Sequence, residues 1–255
     1  KVEEYIAMAP LHNRAALNGV LACEENMPGI PQVCVFDTSY HQTMDPTHYM
    51  YAIPYEDYEK YKVRRYGAHG TSHKFVAKEV AKLMDKPLED LKIITCHLGN
   101  GASVSAINGG KIVDTSMGFT PLEGLIMGTR TGDIDPAAVL FLMKQKGMSV
   151  EETDDYLNKQ SGLLGVSGLS NDFRDIESAM DEGHERAQLA YDMFALRVKK
   201  YIGAYIAELN GFDAIAFTAG IGENDDRIRA SVCENMENLG LAIDLDKNRG
   251  CRKQA

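Results

Sequence analysis

The chain has 255 residues, a formal net charge of −10 at pH 7, and 44% hydrophobic against 25% charged residues, an ordinary globular composition long enough for one large domain or two smaller ones. The negative balance argues against sequence-independent nucleic-acid binding, which needs a basic face, while leaving room for a local cationic cluster that holds a small anion. No apolar run approaches the roughly 18 residues that span a bilayer, the opening KVEEYIAMAP is too acidic and too briefly apolar for a signal peptide, and five cysteines without a C-x-x-C pattern suit reduced thiols in a cytoplasmic protein.

In chain order, residues 1–27 predict helix with an interruption at Pro10. The chain opens on Lys1, without an initiator Met and inside an apparent helix, which suggests a fragment or a larger chain seen in part. PQVCVFDT (31–38) reads as a strand ending in a turn-prone Asp-Thr, and YMYAIPY (49–55) as a short aromatic strand-like piece. VRRYGAHGTSH (63–73) reads as a glycine-broken loop; a helix follows over 73–84, where Phe75, Val76, Val80, Leu83 and Met84 fit a 3.6-residue period. Residues 92–117 predict three strands joined by two glycine turns, an antiparallel meander. The stretch 121–139 mixes a short helix, a Gly-Thr-Arg loop and a helix with Pro at its first turn. Residues 137–160 are helical with one break at Gly147, and 161–180 form a Gly/Ser-rich loop closing on a helix N-cap at Ser170-Asn171-Asp172. A long helix over 184–209, a buried-type strand DAIAFTAG (213–220) and a further helix complete the pattern. The order predicts an α/β fold.

The common nucleotide fingerprints are absent. The P-loop pattern fails because Ile112 follows Lys111, and G-x-G-x-x-G fails at Val104 and again at Asp225. The tight hairpin at Gly99-Asn100-Gly101 could aim backbone N–H groups at a phosphate, or be a plain β-turn. AFTAGIGEN (216–224) is a strand, two glycines and a helix start, fit for a nucleotide or for an ordinary strand–helix connection. His69 and His73, four apart around Gly70, make a poor zinc pair; an imidazole in a loop suits hydrogen bonding to an anionic or transferring group, or a structural role. Arg130, between the glycines of GTRTGD, can fork onto carboxylate or phosphate oxygens, or sit on the surface. Asp37 ends an apolar run and is either a Mg²⁺-type carboxylate or a turn initiator. His12 follows Pro10 at a helix break.

APLHN (9–13), VFDTSYHQTM (35–44), RRYGAHGTSHKFV (64–76), the block from Ile93 to Ala137, SGLLGVSGLSNDFRDI (161–176) and FTAGIGEN (217–224) together closely resemble the acetokinase family, collinearly through about residue 248. The resemblance implies the ribonuclease H-like fold of sugar kinases, actin and heat-shock chaperone ATPases, two similar α/β domains with ATP between them. It implies transfer of the γ-phosphoryl group of Mg·ATP to acetate, giving acetyl phosphate and ADP. Propionate or butyrate kinase is the alternative at substrate level, and a non-catalytic nucleotide-binding module the alternative for the chain alone. His69 would hydrogen-bond the transferring phosphoryl group, Arg130 would hold the carboxylate and the developing charge, and Asp37 would position Mg²⁺ (or Mn²⁺). His12, Ala68 and Pro121 would line the carboxylate pocket, Ala68 standing where some members carry phenylalanine. His97, Gly99, Asn100 and Gly101 would meet the nucleotide, with Asp172, Phe173 and Arg174 bordering the adenosine and Gly220, Ile221, Gly222, Glu223 and Asn224 forming its other wall. The family's opening phosphate loop, its His-Arg-x-x-His-Gly-Gly segment and its closing Pro-Thr-x-Glu-Glu segment are not in the sequence. Residues 1–38 are therefore expected to be the tail of a first domain and 39–255 an incomplete second domain through which members form homodimers.

Overall fold

In a computed structural model, which describes residue 3 and residues 10–251, with side chains from residue 14 onward, the glycine-punctuated block folds as the meander its turns require. Strands β1 (Lys92–Leu98), β2 (Ala102–Asn108) and β3 (Lys111–Thr115) run antiparallel, and β4 (Ala214–Thr218) joins the free side of β1 in parallel, giving the order β3-β2-β1-β4. The helices are α1 (Pro10–Asn26), α2 (Pro46–Tyr49), α3 (Tyr55–Tyr61), α4 (Gly70–Leu83), α5 (Pro136–Lys146), α6 (Val150–Lys159), α7 (Gly162–Ser167), α8 (Phe173–Asp181), α9 (Glu185–Leu209), α10 (Ala219–Asn224), α11 (Asp226–Cys233) and α12 (Leu245–Gly250).

The period-2 alternation of a strand sends successive side chains to opposite faces, and here each face has its own core. Ile94, Cys96 and Leu98 of β1 with Ala102, Val104 and Ala106 of β2 meet α9, whose Ala187, Ala190, Tyr191, Phe194, Val198, Ile202 and Tyr205 recur at helical spacing. Ile93 and Ile107 face the other way, onto α4. That second face also buries Thr95, Ser103 and Ser105, so it is polar toward the hairpin end of the sheet.

Four expectations change. Residues 31–36 pair with no strand among the described residues and leave Val33, Val35 and Phe36 exposed; apolar alternation supplies a strand's pattern but not the ladder partner that makes it one. Residues 50–54 are irregular between two short helices, with Pro54 opening α3. The helix expected from His73 begins at Gly70, and its inward face is Gly70, His73, Ala77 and Ala81, with Phe75 and Leu83 exposed; small residues let the helix approach the sheet, a stripe that counting large apolar residues misses. The short helix expected within 121–135 is absent, while α7 forms inside the expected loop.

The glycine turns, the break at Gly147 (φ 64°) and the Asp172 cap, which accepts from the Arg174 backbone N–H, stand as expected. β4 is half-buried along its length, because in this sheet it pairs on one side only. No helix among the described residues is long and apolar enough to cross a membrane.

Candidate active site

The β1–β2 hairpin closes with the Gly99 N–H donating to the Gly101 carbonyl at 3.2 Å. Its tip is pinned from above: Gly128 N–H donates to the Asn100 carbonyl at 3.0 Å, and the Asn171 amide donates to Asn100 Oδ1 at 3.0 Å. A β-carbon at Gly128 would lie 1.9 Å from Asn100 Oδ1, so any larger residue there would displace the Asn100 amide from the hairpin tip. The first turn of α7 donates to the same loop, Leu163 N–H to the Met127 carbonyl and Leu164 N–H to the Gly128 carbonyl. The segment carrying Arg130 is thus clamped between the hairpin and α7.

Arg130 reaches back so that its Nη1 donates to the Pro121 carbonyl at 3.3 Å. Among the described residues no carboxylate pairs with it, and burial pulls its pKa below the usual arginine value. A half-buried guanidinium without a counter-ion is unfavourable and is a standing site for an anion.

His69 precedes α4 in a left-handed conformation (φ 60°), which costs a residue with a β-carbon about 1–2 kcal/mol. Three contacts hold it there. Its N–H donates to Asp37 Oδ2 at 2.6 Å, its Nδ1 lies 2.8 Å from Ser103 Oγ, and its ring stacks on His97 with centroids 4.0 Å apart. Burial, with help from His97, Arg130 and His41, lowers its pKa to about 4, Asp37 opposing; at neutral pH it is an uncharged hydrogen-bonder. His97 is also held neutral by burial, and its Nδ1 lies 2.8 Å from Ser72 Oγ.

His69 and Arg130, 61 positions apart in sequence, converge on one glycine. A β-carbon at Gly101 would stand 3.5 Å from His69 Nε2 and 3.6 Å from Arg130 Nη1. Beside them Asp37 caps α4 from outside the helix: its carbonyl accepts from Gly70 N–H at 2.9 Å, Oδ2 accepts from His69 N–H and Oδ1 from Thr71 N–H at 3.3 Å. Each carboxylate oxygen keeps a second lone pair, and the residue is exposed. Among the described residues no group of three or more His, Cys, Asp or Glu could cage a metal. Asp37 therefore fits a hydrated Mg²⁺ that takes most of its ligands from water and phosphate, and does not fit a protein-enclosed ion.

From Gly99 and Asn100 a cleft of about 660 Å³ runs between the start of α8 and the start of α10. It gathers the expected Asp172, Phe173, Arg174, Gly220, Ile221 and Asn224 and adds Asn171, Glu177 and Asp225. Arg174 forks onto Asp172, its Nε donating to Oδ1 at 3.0 Å, and that pairing lowers the Asp172 pKa. Burial and the neighbouring Asp225 raise Glu177 to about 7. Glu177 follows Phe173 by one helical turn, so the α8 spacing was its sequence signal; Asp225, cap of α11 through Ile228 N–H, had none beyond its Asn-Asp-Asp context.

His97, Gly101, Gly222 and Glu223 lie outside the cleft's lining. Gly222 is buried where α10 crosses β1, a β-carbon there meeting Phe217 C at 3.3 Å and the Cys96 carbonyl at 3.5 Å. Glu223 accepts from the Thr218 hydroxyl at 3.1 Å and acts on His97 through its charge. Ala68 is half-buried against the main core beside His69. The side chain of His12 lies outside the described residues.

The model of the acetokinase family matches residues 1–255. Among curated relatives, acetate kinase from Halothermothrix orenii is 60% identical and that from Desulfitobacterium hafniense 57% identical, each over 254 residues, 100% of this chain and 64% of the relative. A crystal structure of Porphyromonas gingivalis acetate kinase superposes with a TM-score of 0.95 at 49% identity, covering 99% of this chain and 63% of that one. A propionate kinase from Francisella tularensis gives 0.94 at 46% identity, covering 98% and 64%. The chain thus spans about 64% of the length of the curated relatives it matches. Its fold, mixed α/β about one sheet, is that of these kinases. With the family model matched from end to end and identities this high, the chain belongs to the acetokinase family.

Proposed function

We propose that the chain is the larger part of an acetate kinase, which transfers the γ-phosphoryl group of ATP reversibly and in line to acetate. The observation that carries the reading is the convergence of His69 and an unpaired Arg130 on Gly101, one residue beyond the cleft-lining Gly99 and Asn100. Acetate is already ionised at neutral pH, so no general base is needed. One carboxylate oxygen bonds to the γ-phosphorus as the bond to the bridging oxygen breaks, and ADP leaves with that electron pair. Catalysis then rests on alignment and on neutralising charge. Arg130 forks onto the carboxylate and the equatorial oxygens, and neutral His69 hydrogen-bonds the phosphoryl group. Pro121, Ala68 and His12 surround the acyl methyl, with the Pro121 carbonyl also anchoring Arg130. Gly99, Asn100 and Gly101 meet the phosphates, with His97 behind His69. Asp172, Phe173 and Arg174 wall the adenosine on one side, and Gly220, Ile221, Gly222, Glu223 and Asn224 on the other. Mg²⁺ (or Mn²⁺), carried by the nucleotide beside Asp37, would neutralise phosphate charge.

Propionate is the second acceptor to test, favoured by the small Ala68 and by the likeness to a propionate kinase. Residues 1–38 are read as the tail of a first domain and 39–255 as the second, since α1 is largely exposed and Val33, Val35 and Phe36 lie uncovered. Self-association into a homodimer is supported by the exposed apolar stripe Leu189, Met193 and Leu196 of α9. A cytoplasmic setting suits five free cysteines.

The test is hydroxylamine trapping of acyl phosphate by the full-length protein and by this chain, with Mg·ATP and C2, C3 or C4 acids. Acetyl hydroxamate from the full-length protein, with acetate preferred, is the expected result. Preference for propionate or butyrate moves the substrate. ATP binding without product from either protein reduces the reading to a nucleotide-binding module.

A further inference from the structure

The chemistry above uses one ring nitrogen of His69. The other begins a hydrogen-bond chain that runs from the site into the polar layer between α4 and the sheet. His69 Nδ1 lies 2.8 Å from Ser103 Oγ, Ser103 Oγ lies 2.8 Å from His73 Nε2, and His73 Nδ1 lies 2.7 Å from Thr95 Oγ1. His73, Ser103 and Thr95 are each 0% exposed, so water does not complete their bonding.

The far end decides the direction of every link. Among the described residues the Thr95 hydroxyl has one hydrogen-bond partner, His73 Nδ1. A buried donor left unpaired costs about 1–3 kcal/mol, so Thr95 donates and His73 Nδ1 accepts. His73 is neutral, because among the described residues no carboxylate acts on it and burial penalises its cation; its single proton is then on Nε2 and goes to Ser103 Oγ. The remaining partner of Ser103 is His69 Nδ1, which receives the serine proton. Neutral His69 must therefore carry its own proton on Nε2, the nitrogen that faces Gly101 and Arg130. The opposite direction would strand the Thr95 proton and turn an Nε2 lone pair toward an anion.

We propose that Thr95, His73 and Ser103 are positioning residues that fix His69 as its Nε2–H tautomer, so that it offers a donor to an anionic group at Gly101. Naming that anion as the transferring phosphoryl group rests on the kinase reading; the tautomer itself does not.

The test is a two-bond ¹H–¹⁵N correlation spectrum of the full-length protein with ¹⁵N-labelled histidine near pH 7, without ligand, beside steady-state kinetics. His69 and His73 are both expected as Nε2–H tautomers. Thr95→Val keeps the volume and removes the donor that holds His73 Nδ1 as an acceptor; either tautomer then leaves one buried group unpaired, so both rings should move from Nε2–H to a mixture of tautomers. kcat should fall on the order of tenfold, with KM for acetate and ATP changed less than about twofold. Thr95→Ser should restore spectrum and rate. Ser103→Ala gives the same readout at His69 should Thr95→Val not fold. His69 found as Nδ1–H in the unaltered protein, or unmoved in both donor-deleting variants, overturns the inference. A protein that makes no acyl phosphate yet shows the Nε2–H pattern fails the kinase reading alone; an active one with Nδ1–H fails only the chain.

Discussion

Arg130 holds its guanidinium half-buried against the Pro121 carbonyl with no carboxylate partner among the described residues. If it clamps transition-state charge, Arg130→Ala should lower kcat by about 10²–10³, the worth of one such donor, with the unfolding midpoint nearly unchanged; an unaltered kcat would remove the role. Gly101 gives a sharper probe, since the nearest atoms to a β-carbon there belong to His69 and Arg130 and stand at ordinary contact distance. Gly101→Ala should fold normally and lose activity on the order of 10²-fold, because it fills the space in which the reacting groups must align. His41 is a separate case. It is fully buried, neither ring nitrogen finds a partner among the described residues, and burial lowers its pKa to about 4, partly opposed by Asp37. Because the unfolded chain takes up that proton near pH 6.5 and the folded one only near 4, the linked stability is present above pH 6.5 and lost as pH falls toward 4. In His41→Phe, the pH dependence of unfolding free energy in that window should be shallower by one proton, about 1.4 kcal/mol per pH unit. Urea titrations at several pH values read this directly.

At the scale of elements, the site depends on how α4 meets the segment before it. Gly70 is tight: a β-carbon would lie 2.2 Å from the Asp37 carbonyl oxygen. Gly70→Ala should push Asp37 off the helix start, weakening the cap over His69 and Thr71, and destabilise the fold by about 1–3 kcal/mol. A raised Mg²⁺ requirement should accompany the drop in urea midpoint if Asp37 positions the metal; a fall in stability with the metal response unchanged would leave Asp37 a cap and nothing more. The α4 stripe also shows the limit of periodicity. Of the positions that fit the 3.6-residue period, Val80 and Met84 pack against the core while Phe75 and Leu83 stay exposed, because the strip nearest the sheet is the small-residue one of Gly70, Ala77 and Ala81. The meander was legible for the opposite reason: glycine turns at both ends and short β-rich runs between them are local signals.

At the scale of the whole molecule, the exposed stripe Leu189, Met193 and Leu196 on α9 recurs every three to four residues, an apolar face suited to a second copy. Leu196→Glu should raise the dimer dissociation constant at least about tenfold by sedimentation equilibrium, leaving the monomer's circular dichroism unchanged. A monomeric unaltered protein would refute self-association through this face.

Residue identity by itself determined the family, the hairpin, the α5–α6 break at Gly147 and the Asp172 cap, since each depends on neighbours within a few positions. Most of the cleft was legible for the same reason, its glycines and Asp-Phe-Arg lying in short motifs. Only the tertiary structure decided that 31–36 has no ladder partner among the described residues, that Asp225 joins the cleft, and that Thr95, His73 and Ser103 reach His69. The hydrogen-bond chain joins groups 22 to 34 positions apart, the cleft joins segments farther apart still, and a ladder partner must come from elsewhere in the fold. A hydrogen bond is set by direction and separation in space, and no local pattern of residues carries either.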